Sequence, residues 1–224
     1  MNFANVNDIV GLILIINHML IDALFSNPLS YLMMAASLLF ALTVHEYAHA
    51  QAADWQGDHT ARDMGRLTVN PLAHLDAVGA LFIFTVGFGW GKPVPFNFHN
   101  LKNKKWGPAL IALAGPLSNF IMALAVGLIL RFGHIGNVQL INFFAMFIWL
   151  NVILGVFNLI PVPPLDGSHL ILAVWPWRWE KHRMLFMRGG FLAIIVAVFF
   201  MMYIGGPYIA QPLFSLITGL PVSF

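Results

Sequence analysis

The sequence His45-Glu46-Tyr47-Ala48-His49 is the arrangement of side chains best suited to metal chemistry. Histidines four residues apart share one face of a helix, with their Cβ atoms roughly 5–6 Å apart, and can both direct a ring nitrogen at one cation. Glu46 lies beside that face and can take a proton from water without being a ligand. The pattern therefore predicts a divalent metal site with an acid–base group; the alternative is a structural polar network between helices.

Asp166 is the residue that we expect to be the third ligand. A catalytic zinc needs three protein ligands and an open position, and the chain has no cysteine. Asp166 ends an apolar segment that reads Asn158-Leu159-Ile160-Pro161-Val162-Pro163-Pro164-Leu165-Asp166-Gly167. The prolines break a helix and free backbone groups where an extended peptide can dock. Taken alone, Leu-Asp-Gly is also typical of an ordinary turn, and His169 is interpreted as a supporting or solvated group.

The elements that carry these residues are predicted to be membrane helices. Of 224 residues, 59% are hydrophobic and 9% are charged, against about 25% charged residues in an average soluble domain. The formal net charge is only +2, and the basic residues lie in loops beside apolar runs, which argues against a nucleic-acid partner. The chain is therefore predicted to be an all-α polytopic protein whose partner surface is the lipid bilayer.

About six apolar runs approach the roughly 20 residues needed to cross a bilayer. They cover residues 9–25, 29–53, 108–132, 138–160, 191–204 and 207–222. The last run contains three prolines and a glycine, and an interfacial helix is the alternative for it. We treat residues 1–224 as one integral membrane domain, with a core at about 29–175 and a strand and loop region at 54–107.

The basic residues predict the orientation. Most of them lie in two loops, residues 54–107 and 175–188, whereas the loop between the third and fourth runs offers only Arg131. By the positive-inside rule both basic loops face the cytoplasm, and the amino terminus does too. His45, His49 and Asp166 then lie at the cytoplasmic ends of their spans, at one depth in the membrane.

Gly79–Gly91 is an apolar piece inside the first basic loop that is too short to span. It is rich in Phe, Val and Ile and carries glycines near its end. We expect strands or a re-entrant β-hairpin at membrane depth, which requires protein or a water-filled cavity to satisfy its backbone. The region up to Phe98 could offer an edge for strand addition, or it could merely plug the helix bundle.

Together these motifs resemble the site-2 proteases, which are intramembrane zinc metalloproteases. The resemblance extends over about residues 38–175 and includes Gly65–Asp76, Gly89–Pro95 and Ala114–Asn119. No segment is long enough for the PDZ domain of larger members, so the chain resembles a compact bacterial or archaeal type.

The resemblance implies a catalytic core of three helices that holds one zinc ion and is reached by water from the cytoplasm. It implies His45, His49 and Asp166 as ligands and Glu46 as the base, with Asn158 stabilising the oxyanion or the substrate backbone. Supporting or substrate-binding roles are expected for His74, Asn119, Pro161 and Pro163. The implied activity is cleavage of transmembrane substrates, such as membrane-anchored regulators, in the cytoplasmic membrane.

Two other functions fit parts of the pattern. A metal transporter would also place His and Asp inside a membrane, but it would more naturally stack acidic residues through several spans. A catalytically silent binding protein has no need of an intact motif set.

His18 and Asp22, four apart in the first run, either bond each other or line a water or substrate gate.

Overall fold

The fold is known from a computed structural model, which describes residues 25–86, 91–175, 182, 186–187 and 190–220. Over these residues the secondary structure is helical, and the only β pairing among them is an isolated bridge between Leu75 and Gly91. Four of the described helices are long and apolar enough to cross a membrane. The predicted all-α class is therefore confirmed.

The helices follow one another along the chain with short connections. They are α1 (Pro28–Trp55), α2 (Thr60–Asp63), α3 (Pro71–His74), α4 (Ala77–Val86), a 3₁₀ turn (Phe98–Asn100), α5 (Gly107–Phe132), α6 (Val138–Asn158), α7 (Gly167–Val174), α8 (Gly190–Phe200), a π-helical stretch (Met201–Ala210) and α9 (Gln211–Thr218). Asn27 and Asn137 cap α1 and α6, since their side chains accept from the backbone N–H three residues later.

Helices α1, α5 and α6 pack against one another and form the centre of the molecule. They match the second, third and fourth predicted runs within two residues at each end. Small buried residues such as Ala41, Ala109, Gly115 and Ala123 lie at their contacts and allow the backbones to approach closely. This packing brings the histidines of α1 next to the middle of α5.

The fifth and sixth predicted runs are not two separate spans. They form one continuous apolar helix, Leu192–Thr218, which is a single candidate span. Glycine and proline usually interrupt a helix, but Gly205, Gly206 and Pro207 lie inside the π-helical stretch. A wider π turn changes the local bonding pattern, so a proline without an N–H can lie within the helix.

The predicted strand or β-hairpin at Gly79–Gly91 is not found where the structure describes this segment. Residues Ala77–Val86 form helix α4, which satisfies its backbone internally. Its ten residues are too few to span, as expected. The first predicted run, residues 9–25, lies outside the described residues except for Phe25, and so do His18 and Asp22.

A candidate metal centre

His45, His49 and Asp166 converge on one point between α1 and the turn that precedes α7. The Nε2 atoms of the two histidines are 3.0 Å apart. The Oδ2 atom of Asp166 lies 3.1 Å from Nε2 of His45 and 3.3 Å from Nε2 of His49. His45 and His49 are buried and Asp166 is partly buried. The structure therefore brings together the three residues that the sequence analysis selected as ligands.

Hydrogen bonds at the other ring nitrogen determine which histidine atoms face this point. Nδ1 of His45 lies 2.6 Å from the amide oxygen of Asn119, and Nδ1 of His49 lies 2.7 Å from the carbonyl oxygen of Ile111. Both partners are acceptors, so each Nδ1 must carry the proton. Each Nε2 then presents a lone pair toward the other and toward the carboxylate, an arrangement that favours a cation between them.

The spacing of these atoms fits zinc. Ligands at about 2.0–2.2 Å from a tetrahedral zinc lie about 3.3–3.5 Å from one another, close to the 3.0–3.3 Å found here. The Oδ2 atom of Asp166 is buried and has no hydrogen-bond partner. Two imidazoles and one carboxylate are a donor set that zinc prefers.

Gly115 on α5 leaves the room that the two imidazoles need. A Cβ atom at this position would lie 2.5 Å from Nε2 of His49 and 2.6 Å from Nε2 of His45. A methyl group would therefore clash with both imidazoles. Residue 115 must be glycine for the two rings to keep this arrangement, a role that the sequence alone does not indicate.

A buried polar relay orients His45. The amide nitrogen of Asn119 donates to the carbonyl of Ala41 at 3.2 Å and to Oδ1 of Asn151 at 2.9 Å. These donations identify which amide atom of Asn119 is the oxygen that faces His45. Asn151 in turn donates to the carbonyl of Phe147 at 2.9 Å. The relay links α1, α5 and α6, and both asparagines are fully buried.

Asp166 is ionised in this setting, as a ligand must be. Burial by itself would raise the pKa of its carboxyl group, but the adjacent His45 and His49 lower that pKa below its usual range whenever an imidazole carries a proton at Nε2, and a cation bound between the three side chains would act in the same direction. Gly167, the next residue, lies so close to Leu159 that a Cβ atom would be 2.2 Å from the Leu159 carbonyl oxygen. The tight turn after α6 therefore requires glycine beside the ligand.

A cavity of about 760 Å³ opens at the three ligands. Its wall includes Glu46, Asn158 and His169, together with an extended segment, residues 92–97, that contributes Pro93, Val94 and Phe96. Leucine, isoleucine and methionine side chains of α1, α6 and the final helix line the remainder. The metal ligands are thus accessible from a mostly apolar space that is large enough for a peptide segment.

The other predicted site residues lie at different places. His74 is buried and bonded to the carbonyl of Thr68 at 2.7 Å, so it supports a loop and does not join the ligands. Asn119 bonds His45, as described above. Pro161 is exposed and Pro163 is buried in the turn after α6. Asn151 bonds Asn119 between α6 and α5, as expected of a polar side chain within an apolar span, whereas the contact of Gly115 with both imidazoles goes beyond the close helix packing expected of a small residue.

Comparison with known proteins gives a family and curated relatives. A model of peptidase family M50 matches residues 129–204, which include Asn158 and Asp166. YwhC of Bacillus subtilis, named as a candidate zinc metalloprotease, is 38% identical over 159 residues, or 67% of this chain and 73% of that protein.

A second relative carries a name of the same kind. Rip2 of Mycolicibacterium smegmatis, also named as a candidate zinc metalloprotease, is 32% identical over 151 residues. The match covers 62% of this chain and 58% of Rip2, so the chain spans less than two thirds of that relative. No solved structure matches the chain.

Proposed function

The chain belongs to peptidase family M50, the site-2 proteases, and from this membership and the site geometry we propose that it is an intramembrane zinc endopeptidase. Its proposed substrates are transmembrane proteins, such as membrane-anchored regulators, cut in or near their membrane-spanning segments. The observation that carries the proposal is the convergence of three ligands on one point beside Glu46: His45 and His49 on α1, which is long enough to span a membrane, and Asp166 in the turn after α6.

In this proposal His45, His49 and Asp166 hold one zinc ion per chain. When bound, zinc supplies Lewis acidity that makes water a better nucleophile and the scissile carbonyl a better electrophile. Asn119 and the Ile111 carbonyl keep the two imidazoles in the tautomer that can bind it. Because the site is already shaped by these contacts, little rearrangement is needed for binding.

Glu46 is the proposed general base. It follows His45 directly on α1 and lines the same cavity. Its carboxylate would take a proton from the attacking water and later deliver one to the leaving nitrogen. No covalent intermediate with the protein is required.

Asn158 is the proposed donor to the oxyanion. Its amide group has two N–H bonds, one of which donates to the carbonyl of Leu154 at 3.0 Å. The second N–H is available to a negatively charged oxygen in the cavity that Asn158 lines. The bond to Leu154 would hold the amide in place while it acts.

The extended segment 92–97 is the proposed docking edge for substrate. An intact substrate helix presents no free carbonyl, so a scissile bond must be offered in an extended conformation. A substrate strand could add to the backbone of residues 92–97, where the cavity is open. The alternative, that this region merely fills the bundle, predicts no effect of its backbone on cleavage.

Replacement of Glu46 tests the mechanism. We expect Glu46→Gln to bind as much zinc as the parent but to lose cleavage by roughly 100-fold or more, because the amide cannot accept a proton. The probes are single-span peptides with an Asn-Gly pair in the apolar segment, in detergent micelles, with cleavage followed by mass spectrometry. Asp63→Asn, at an exposed acid of α2, is the matched control.

Two results would contradict the proposal. Full cleavage by Glu46→Gln would remove that residue from the chemistry. Zinc flux through proteoliposomes containing the parent, without cleavage of any probe peptide, would instead favour a metal transporter.

A further inference from the structure

The extended segment 92–97 has free backbone groups beside the metal centre. Pro93 and Pro95 have no N–H, and the backbone groups of Val94 and Phe96 form no hydrogen bond within the part of the chain that the structure describes. Phe96 contacts the ring of His169 at 6.4 Å between centroids. Apart from the packing of Phe96 on a buried cluster that contains Leu101 and Ile111, the hydrogen bonds that hold this segment lie at its ends.

The first end is fixed at Lys92. Its N–H donates to the carbonyl of His74 at 2.8 Å, and its carbonyl accepts from the guanidinium of Arg66 at 2.6 Å. Arg66 is buried, although arginine is rarely buried without a partner. The Gly91 backbone approaches so closely that a Cβ atom would lie 3.2 Å from the His74 carbonyl oxygen.

The second end is fixed by Asp58, which is fully buried in the loop after α1. One carboxylate oxygen, Oδ2, accepts from the backbone N–H of Asn97. The other, Oδ1, accepts from the side-chain amide of Asn100 at 3.0 Å and from the N–H and hydroxyl of Thr60 at 3.2 and 2.6 Å. A single side chain thus joins the loop after α1 to the end of the extended segment.

Only an ionised carboxylate accepts from all of these donors. Burial would raise the pKa of Asp58, but the hydrogen bonds from Thr60, Asn100 and Asn97 lower it below its usual value. An asparagine at position 58 would direct its NH₂ group at donors on one side, either at Asn97 or at Thr60 and Asn100. Asp58→Asn therefore keeps the size of the side chain and breaks the connection to one side.

We infer that Asp58 is a positioning residue for substrate, which holds residues 92–97 beside the metal centre so that an extended substrate strand can pair with Val94 and Phe96. The inference rests on the proposed protease function. Asp58 does not touch the metal ligands or the reacting atoms. It acts through the N–H of Asn97, at the end of the segment opposite Arg66.

The test compares Asp58→Asn with Asp54→Asn. Asp54 is also a buried carboxylate in this region, but it bonds His59 at 2.7 Å and Arg62 instead of the extended segment. The chain has no cysteine, so Val94→Cys accepts a single nitroxide spin label whose mobility reports the order of the segment. Cleavage kinetics are measured with Val94 intact, on the single-span Asn-Gly peptides described above.

We expect Asp58→Asn to increase the mobility of the label and to raise KM on the order of tenfold, as for loss of a buried charge-assisted hydrogen bond. Zinc content and kcat stay within about twofold of the parent, because neither depends on this contact. Asp54→Asn leaves the label immobile and KM unchanged. Asn100→Ala, at an exposed position outside the hydrophobic core, shifts both readouts in the same direction by a smaller amount.

An immobile label in Asp58→Asn and Asn100→Ala would overturn the anchoring role. A mobile label with an unchanged KM would overturn the role in substrate positioning, while cleavage by the parent would still support the protease. If Asp58→Asn fails to fold, Asn100→Ala decides between these outcomes. Failure of the parent to cut any probe peptide is a different result, since it contradicts the protease function itself.

Discussion

At the scale of single residues, the metal centre depends on Gly115, because glycine is the one residue type without a Cβ atom. A Cβ at this position would lie 2.5–2.6 Å from atoms of both imidazoles, too close for the rings to keep their positions. The ligands are recognisable from their types and spacing, because few residue types bind zinc in a chain without cysteine. Gly115 is not recognisable in this way, because its role depends on how α5 is rotated against α1.

Gly115→Ala is expected to abolish stoichiometric zinc binding and leave the helix bundle folded. The added methyl would lie 2.5–2.6 Å from the ligand nitrogens, whereas alanine favours a helix over glycine by about 1 kcal/mol. Metal analysis of the purified protein measures the loss, and circular dichroism checks the fold. Gly136→Ala is the control, since a Cβ there meets no atom within 4 Å. A zinc content equal to that of the parent in Gly115→Ala would show that no ion lies in front of residue 115.

At the scale of elements, the polar relay ties the ligand helix to the other two helices of the centre. His45 on α1 bonds Asn119 on α5, which bonds Asn151 on α6. These bonds hold the imidazole in one tautomer and one orientation, which a lone histidine on a helix would not keep. The packing of three helices and the geometry of the ligand are therefore coupled.

Asn119→Ala is expected to weaken zinc affinity by roughly 10–100-fold, because the proton on Nδ1 of His45 loses its acceptor. Asn151→Ala acts one bond further away and is expected to have a smaller effect in the same direction. Competition with a zinc chelator measures both affinities. Asn142→Ala removes an exposed amide from α6 and serves as the control. Equal affinities for the parent and Asn119→Ala would show that the relay has only a structural role.

Elements that depend on local sequence patterns could be predicted, whereas features that depend on contacts between distant segments could not. The three central spans follow from apolar runs bounded by charges, so α1, α5 and α6 agree with the predicted limits. The segment at Ala77–Val86 contains β-branched and aromatic residues that favour a strand in water. The structure describes no partner strand for this segment, and a helix satisfies its backbone without one. The anchoring roles of Asp58 and Arg66 could not be assigned, because the groups that they hold, the Asn97 N–H and the Lys92 carbonyl, are distant in sequence.

At the scale of the whole molecule, the course of the helices fixes on which side each loop must lie. Helix α1 ends at Trp55 and α6 ends at Asn158, on the side of the basic loop 56–106, and the metal ligands lie near these ends. Helices α5 and α6 are joined by the short loop 133–137 on the opposite side. The end of the final helix near Thr218 lies with loop 133–137, since Arg131 donates to the carbonyl of Leu216 at 2.7 Å.

Single-cysteine labelling tests this arrangement directly, since the parent has no cysteine and gives no background. A membrane-impermeant maleimide applied to intact cells is expected to label Gly136→Cys and Leu220→Cys, and inside-out vesicles are expected to be labelled at Lys104→Cys. The physical reason is the excess of Lys and Arg in loop 56–106, which by the positive-inside rule is expected to keep that loop in the cytoplasm. Labelling of Leu220→Cys together with Lys104→Cys would contradict a single final span, because a second crossing would be needed to return the chain. Labelling of Lys104→Cys from outside would contradict the orientation and place the metal centre on the outer side, away from cytoplasmic water.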